Sequence, residues 1–504
     1  MPQLRHPPRP RRPHALTILT AFSAASLWLA DPASAQRSAD SPETAATRRV
    51  RELVRTISSG DSATIARFVD TATMAPPGLG FPPSERVARL RQQYELTGGY
   101  ELHGVESRGP GEATALVATR RAPDWRRITV TLDSAASGRI ARIGMAPARD
   151  PSLPLPTRAL SDAEIAAQLG RYVQQLAKRD QFSGTVLVAR NGTPVYSAAV
   201  GEANKDFHVL NRLDTRFNLG SMNKMFTAVS IAQLVEAGKL SFDDSLGKFL
   251  PVGSMRPEVL ATVRIKHLLS HTSGLGSYFN DTWDAASRAR YRSVDDWMAL
   301  VKEDTLEFEP GSRWSYSNTG MLVLGKVIER VTGQDYFDYV REHVYAPAGM
   351  TSSDSYELDR VNPNLAVGYD RTFTKQGDEW RNNIFMHVIR GGPAGGGYST
   401  VADLTRFAEA LKGGKLVSKR YVDILTSPKP ELNSPRYGYG FGVGVQDGVY
   451  GHNGGFPGIN SDLTIYREGG WTIAVMSNYS MAAGPVVERA KELVTAGRKQ
   501  TAAR

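Results

Sequence analysis

The chain has 504 residues, a formal net charge of +10 and no cysteine. The lack of cysteine excludes disulfide bonds, thiolate metal sites, a cysteine nucleophile and a lipid anchor on cysteine. The positive charge is not gathered into a run of lysine and arginine, so the sequence carries no footprint of nucleic-acid binding.

Residues 1–35 have the pattern of a secretory signal peptide. An arginine-rich start is followed by an apolar run over 15–30 and by a small-x-small ending at 33–35. We expect this segment to be removed on export to the periplasm or the medium. Four arginines and one aspartate would leave with it, which lowers the net charge to +7 and leaves no stable membrane span. An uncleaved anchor stays open as the alternative, and the sequence says nothing of the oligomeric state.

Residues 37–147 predict a small α+β domain. Three helix-like segments come first, with Ser84 as a candidate cap for the third, and four strand-like runs separated by turn residues follow. No lysine occurs before Lys178, which sets this part apart in composition. The element order resembles the NTF2-like domains, without any shared motif. Arginine pairs at 120–121 and 126–127 indicate either an anion site or, more simply, a solvated face.

The segment 148–162 contains three prolines and predicts an extended linker. Ser161, near its end, is predicted to cap the helix that follows. Farther along the chain, Ser399 or Thr400 is predicted to cap another helix in the same way, because Asp403 stands where a capping box needs an acid.

Residues 163–496 predict the main domain, and residues 497–504 a tail. The main domain begins with a helix and two strands joined at Asn191-Gly192, and it ends with two strands around Gly469-Gly470 and a helix. Strands at both ends with helices between them predict an antiparallel sheet flanked by helices, with a mostly helical subdomain inserted. The predicted fold class is therefore α+β.

The stretch FNLGSMNKMF, residues 217–226, places Ser221 three residues before Lys224. The apolar residues that follow recur at helical spacing, so Ser221 is predicted to lie at the first turn of a buried helix. There, residues i and i+3 share a face, and the free backbone N–H groups favour a developing oxyanion. A serine nucleophile with a lysine base fits this position, and a capping serine beside a solvated lysine fits it equally well.

Spacing alone carries little weight, because a chain of this length contains about one SxxK by chance. A second copy stands at Ser245–Lys248, with Gly247 inside it and Pro251 just beyond. These residues predict no helix that would hold its two side chains in register.

Two later patterns favour the catalytic interpretation of Ser221. Tyr316 and Asn318 form YxN before an apolar helix, and His452 and Gly454 form HxG, followed by Gly455, just before the last two strands. The glycines leave room where a substrate carbonyl must approach the main chain. Competing copies of these patterns, in less suitable contexts, stand at 278–280, 375–377 and 412–414.

Four further side chains have both a functional and a structural interpretation. His267 and His271 are spaced to share a metal, but the glutamate of HExxH is missing, so a structural role is favoured. Trp314 and Trp380 fit the wall of an acyl pocket and fit ordinary packing equally well.

The order SxxK, YxN, HxG, with HLLSHTSGL between the first two patterns and GGGYSTVADLTRFAEAL after the second, resembles the serine hydrolases of the β-lactamase superfamily. Within it, the chain is similar to the class C-like branch, which includes D-alanyl-D-alanine carboxypeptidases, D-aminopeptidases and family VIII esterases. The resemblance covers roughly residues 165–496.

This resemblance implies a division of roles. Ser221 would be acylated, and Lys224 and Tyr316 would share the work of the base. Asn318 would bind a group beside the substrate carbonyl, and the N–H groups of Ser221 and Gly455 would form the oxyanion hole.

The resemblance also implies an exported hydrolase that cleaves amide or ester bonds of a small-molecule or peptide acyl substrate, with no metal or organic cofactor. His452, the first residue of the HxG pattern that ends at Gly454, occupies the position where β-lactamases usually carry a lysine. A carboxypeptidase or esterase is therefore expected ahead of a true β-lactamase. The alternative from another class is a catalytically silent module on the same fold that binds cell-wall peptides or a protein.

Overall fold

The computed structural model describes residues 43–74, 82–122, 124–134, 137–374, 377–442, 445 and 448–497. The predicted signal peptide lies outside the described residues, and so does the tail apart from its first residue. No helix in these ranges combines the length and the apolar character that a membrane crossing requires.

The amino-terminal part contains three helices followed by an antiparallel meander, as the sequence predicts. Its sheet has the order β1-β2-β3-β4 and shares a separate apolar core with the helices. Ser84 is not the cap of the third helix, because that helix begins at Pro83, where a missing N–H costs nothing. The elements are α1 Ala45–Ser59, α2 Ser62–Ala72, α3 Pro83–Thr97, β1 Tyr100–Ser107, β2 Glu112–Thr119, β3 Trp125–Leu132 and β4 Ile140–Ala148.

The second part combines a sheet with many short helices. Its strands are β5 Gly184–Arg190, β6 Thr193–Val200, β7 Glu202–Asn204, β8 Val209–Leu210, β9 Phe217–Asn218, β10 Tyr369–Thr374, β11 Gly377–Asn382, β12 Tyr398–Ser399, β13 Val449–Phe456, β14 Ile459–Tyr466 and β15 Trp471–Ser477. Its helices are α4 Asp162–Lys178, α5 Asn223–Glu236, α6 Pro257–Thr262, α7 Ile265–Leu269, α8 Asp281–Ala285, α9 Val294–Met298, α10 Asn318–Thr332, α11 Tyr336–Val340, α12 Ala346–Ala348, α13 Val401–Lys412, α14 Lys419–Thr426 and α15 Ala483–Val494.

The main sheet has the strand order β13-β14-β15-β5-β6 and is antiparallel throughout. Strand β5 from the start of this part pairs with β15 from its end, with Gly184 opposite Ser477. The predicted α+β class, with a sheet built from both ends and a helical region inserted between them, is confirmed.

The two faces of this sheet bury different helices. On β5, Val186 and Val188 pack with α4 and α15, whereas Leu187 and Ala189 face the larger core that contains α5 and α13. The alternation follows from the two-residue period of a strand. Helix α5, which follows Ser221, is therefore enclosed between the sheet and the helical region.

The HxG pattern stands just before the last two strands, as the sequence predicts, but it is itself part of a strand, β13, at the edge of the sheet. Its glycines fit because the neighbouring main chain is close: a Cβ at Gly451 would lie 1.8 Å from the Leu463 carbonyl oxygen. A glycine-rich run has low strand propensity, so its strand character comes from tertiary packing.

The hairpin β10–β11, which the sequence did not predict, joins the two parts. Arg121 forms an ion pair with Asp370 and donates a hydrogen bond of 2.6 Å to the Arg371 carbonyl. The hydroxyl of Tyr94 bonds the Phe373 carbonyl at 3.1 Å. Arg121 is thus neither at an anion site nor on a solvated face, and burial lowers its pKa.

Candidate active site

Ser221 lies in a 3-10 turn, Gly220–Met222, that leads directly into α5. Gly220 has a positive φ of 51°, which a residue with a side chain rarely adopts. The turn rests on a glycine-rich loop, because the Gly396 N–H donates to the Gly220 carbonyl at 3.1 Å. Ser221 therefore lies where backbone N–H groups at a helix start are free of intrahelical partners.

Lys224 is completely buried in the first turn of α5. Its amine donates to Asn318 Oδ1 at 2.9 Å and to the Ala394 carbonyl oxygen. Burial lowers the pKa of Lys224 well below its usual value, and no carboxylate in the described part of the chain counteracts this shift. A neutral amine has two hydrogens and one lone pair, so these two bonds leave the lone pair free to accept a proton.

Tyr316 lies between the serine and the lysine. Its hydroxyl is hydrogen-bonded to Ser221, and its ring centroid is 5.0 Å from Lys224 Nζ. Burial raises the pKa of Tyr316, so its hydroxyl stays protonated at neutral pH. Such a hydroxyl can accept a proton from one neighbour while it gives its own proton to another. The ring packs 4.5 Å from that of His271, whose Nδ1 accepts the Ser317 N–H at 3.2 Å.

Asn318 begins α10, and Ser317 caps that helix by accepting the Gly320 N–H. The Asn318 amide links two elements, since its Oδ1 accepts from Lys224 and its Nδ2 donates to Ser277 Oγ at 3.1 Å. No pattern in the sequence pointed to Ser277 or to the Ala394 carbonyl, because both reach the site from distant loops.

His452 lies on β13, buried, with its ring centroid 6.5 Å from that of Tyr316. Its Nδ1 contacts the Asn453 carbonyl oxygen at 2.5 Å. A carbonyl oxygen can only accept, so Nδ1 carries the proton. Burial, together with Lys224, lowers the pKa of His452 to about 3, and the ring is neutral at physiological pH.

Gly454 and Gly455 bring the edge of the sheet against the serine turn. A Cβ at Gly454 would lie 1.9 Å from the Leu219 carbonyl oxygen, and a Cβ at Gly220 would lie 3.0 Å from the Gly455 nitrogen. The Gly451 carbonyl accepts from the Gly442 N–H outside the sheet, and alternate residues of an edge strand point their backbone groups the same way. The Gly455 N–H therefore points out of the sheet on the side of Ser221.

The seven side chains and backbone positions singled out from the sequence thus lie together around the start of α5, the start of α10 and β13, and we call this place the cleft. Lys248, the lysine of the second SxxK segment, lies on the surface away from the cleft and bonds Asp244. Trp314 borders the cleft and stacks on Tyr437 at 4.8 Å, whereas Trp380 packs on Tyr479 in the other core. Within the described ranges, no three histidine, aspartate or glutamate side chains are grouped as a metal site would require.

Comparison with known proteins places this cleft in a family. The family model described as Beta-lactamase matches residues 169–496. Penicillin-binding protein 4* of Bacillus subtilis (strain 168) is 31% identical over 323 residues, 60% of this chain and 70% of that protein. Esterase EstB of Burkholderia gladioli is 34% identical over 205 residues, 38% of this chain and 52% of the esterase.

A solved structure agrees with these relatives. A penicillin binding protein from Bacillus halodurans superposes with a TM-score of 0.58 at 31% identity and covers 64% of this chain and 99% of that one. Residues before 169 lie outside the family match, which includes the whole cleft. The chain therefore belongs to the beta-lactamase family, as a hydrolase fold related to penicillin-binding proteins and esterases.

Proposed function

We propose that the protein is an exported serine hydrolase that forms an acyl-enzyme on Ser221 and cleaves ester or amide bonds. The observation that supports this most directly is the state of Lys224. It is fully buried, has no acidic partner among the described residues and lies one helical turn from a serine that is bonded to Tyr316. That burial is incompatible with the structural alternative, in which Ser221 only caps the helix and Lys224 is solvated.

In the acylation step, Ser221 Oγ forms a bond with the substrate carbonyl carbon. Its proton passes to Tyr316, which passes its own proton to the lone pair of Lys224. The carbonyl oxygen becomes an oxyanion that accepts hydrogen bonds from the N–H groups of Ser221 and Gly455. When the tetrahedral intermediate collapses, the leaving group takes the proton from the same relay and departs.

Deacylation repeats these steps with water as the nucleophile. Water gives a proton to the Tyr316 and Lys224 relay, its oxygen bonds to the acyl carbon, and the ester bond to Ser221 breaks. The serine regains the proton, and the acid product leaves. Within this proposal we rank ester and peptide hydrolysis ahead of β-lactam hydrolysis, because a buried neutral His452 offers no cation to a β-lactam carboxylate.

The test of the nucleophile is covalent labelling followed by mass spectrometry. A fluorophosphonate should add one phosphonyl group to the wild-type protein and none to Ser221→Ala. The matched control is Ser245→Ala, which removes the serine of the other SxxK segment and should keep full labelling. Undiminished labelling of Ser221→Ala would rule out the assignment.

Export is supported by the sequence of residues 1–35 alone and has its own test. The mature protein should begin at Gln36 when it is isolated from the producing cell and its amino terminus is sequenced. A mature chain that begins at Met1 would contradict cleavage and favour the anchor alternative.

A further inference from the structure

Few charged groups act on the three titratable side chains of the cleft, Lys224, Tyr316 and His452. The pKa of Lys224 is shifted by burial alone. The pKa of Tyr316 is shifted by burial, by Ser221 and by Tyr437. The pKa of His452 responds to burial, to Lys224 and to its own backbone contact. No arginine, aspartate or glutamate among the described residues acts on any of these three groups.

The ring nitrogen of His452 that lacks a proton is a buried acceptor. Because Nδ1 carries the proton, Nε2 has a lone pair, and in the described part of the chain no hydrogen-bond donor reaches it. A buried acceptor repels a carboxylate and accepts from a neutral O–H or N–H. This end of the cleft is otherwise bordered by the rings of Tyr316, Trp314 and Tyr437.

The other end of the cleft is apolar. Phe456 follows His452 and Gly454 on the same face of β13, by the period of two. Its ring lies 6.3 Å from that of Phe279, in a stacked arrangement, and 5.9 Å from that of His387. We call these three rings the aromatic wall. Just before His387, the side chains of residues 384–386, Ile-Phe-Met, are 52%, 89% and 44% exposed.

On the basis of the proposed function, we infer that the site selects uncharged esters or amides whose apolar group packs on the aromatic wall and rejects substrates with a carboxylate near His452. A carboxylate that enters beside His452 loses water and, among the described residues, meets a buried acceptor there in place of the lysine cation. An apolar group that covers Phe456 gains the burial of surface that water otherwise contacts.

A matched pair of substrates tests the charge preference. Two phenyl esters share one acyl group, and only one of them carries a carboxylate at the meta position of the phenol. We expect the kcat/KM of the wild-type enzyme to be about tenfold or more lower for the carboxylate ester, as an unpaired buried group requires. His452→Lys should raise the ratio of carboxylate to neutral kcat/KM by a similar factor, and His452→Gln, which adds no charge, should leave the ratio low.

A measurement on the wild-type enzyme covers the case in which His452→Lys does not fold. The ratio of the two kcat/KM values should stay constant between pH 5 and pH 8, because the neutral ring does not titrate in that interval. A ratio that rises as the pH falls through about 6.5 would mean that His452 becomes a cation for the substrate, and it would overturn the inference.

A second pair of variants tests the aromatic wall. Phe456→Ala should lower the kcat/KM of p-nitrophenyl octanoate relative to that of the acetate by about fivefold or more, since the wall loses a ring. Phe249→Ala, a partly buried ring in the other SxxK segment, is the control and should leave that ratio unchanged. An unchanged ratio in Phe456→Ala would exclude the wall as an acyl subsite.

The outcomes separate this inference from the proposed function. If the fluorophosphonate labels Ser221 but both phenyl esters react equally well, the proposed function stands and the charge preference is wrong. If Ser221 is not labelled and neither ester is hydrolysed, the proposed function itself fails.

Discussion

Two segments of the chain share the spacing SxxK, but their lysines differ in burial, in the helix or turn that carries them and in their hydrogen-bond partners. Lys224 is fully buried, belongs to the helix Asn223–Glu236 and donates to neutral oxygens. Lys248 belongs to the three-residue turn Leu246–Lys248, its side chain is 57% exposed, and it bonds both carboxylate oxygens of Asp244 at 2.9 Å. Water and a carboxylate both favour the ammonium form, whereas burial without a carboxylate favours the amine. The surroundings of the motif, not its spacing, therefore decide whether its lysine can act as a base.

The largest expected effect comes from removing the buried amine. Lys224→Met fills the same space without a proton acceptor, so we expect kcat/KM for a neutral ester to fall by about 10²–10⁴-fold. Steady-state kinetics give the loss, and circular dichroism checks that the variant is folded. Activity within tenfold of the wild type would mean that another group accepts the proton.

The next effect tests the group between serine and lysine. Tyr316→Phe keeps the ring on His271 and removes the hydroxyl that bonds Ser221, so acylation should slow by about 10²-fold. Stopped-flow release of p-nitrophenol measures that step. The matched control, Tyr421→Phe, removes a phenol hydroxyl on α14, away from the cleft, and should keep the acylation rate.

The pH dependence distinguishes a buried lysine from a surface one. The folded pKa of Lys224 lies well below the usual 10.5, so the unprotonated base persists to a lower pH than on an exposed lysine and is lost as the pH falls through the lowered pKa. We expect kcat/KM to be level near pH 8 and to fall about tenfold per pH unit on the acid side. A rate that still rises towards pH 10.5 would indicate a lysine with the ordinary pKa.

The smallest effect is expected at the other segment. Lys248→Met makes the same chemical change as Lys224→Met, but on an exposed side chain outside the cleft. We expect kcat/KM to stay within about twofold of the wild type and stability to change little. A loss comparable to that of Lys224→Met would remove the distinction between the two segments.

The parts of the fold that follow from local chemistry were predictable from the sequence. Ser161 caps α4 in a complete capping box with Glu164, and Thr400 caps α13 by accepting the Asp403 N–H. Asn191 has a positive φ at the turn between β5 and β6. Each of these features is set by residues within a few positions of one another.

The remaining features depend on contacts between distant residues. The strand character of β13 comes from its pairing with β14 and from the room that its glycines leave for neighbouring main chain. The hairpin β10–β11 is stabilised partly by Arg121 of the amino-terminal part. Likewise, the carbonyl of Ala394 reaches Lys224 from a loop about 170 positions away. No pattern in a short window of sequence contains these contacts.

The pairing of β5 with β15 has a consequence for the order of assembly. Because the whole helical region lies between these strands, the sheet has a high contact order and can close only after β15 has been made. A nascent chain therefore carries Ser221 and Lys224 before it has the strand that supplies the Gly455 N–H. During synthesis, Ser221, the proposed nucleophile, is made before the strand that completes its surroundings, so under our proposal the emerging chain cannot yet form an acyl-enzyme.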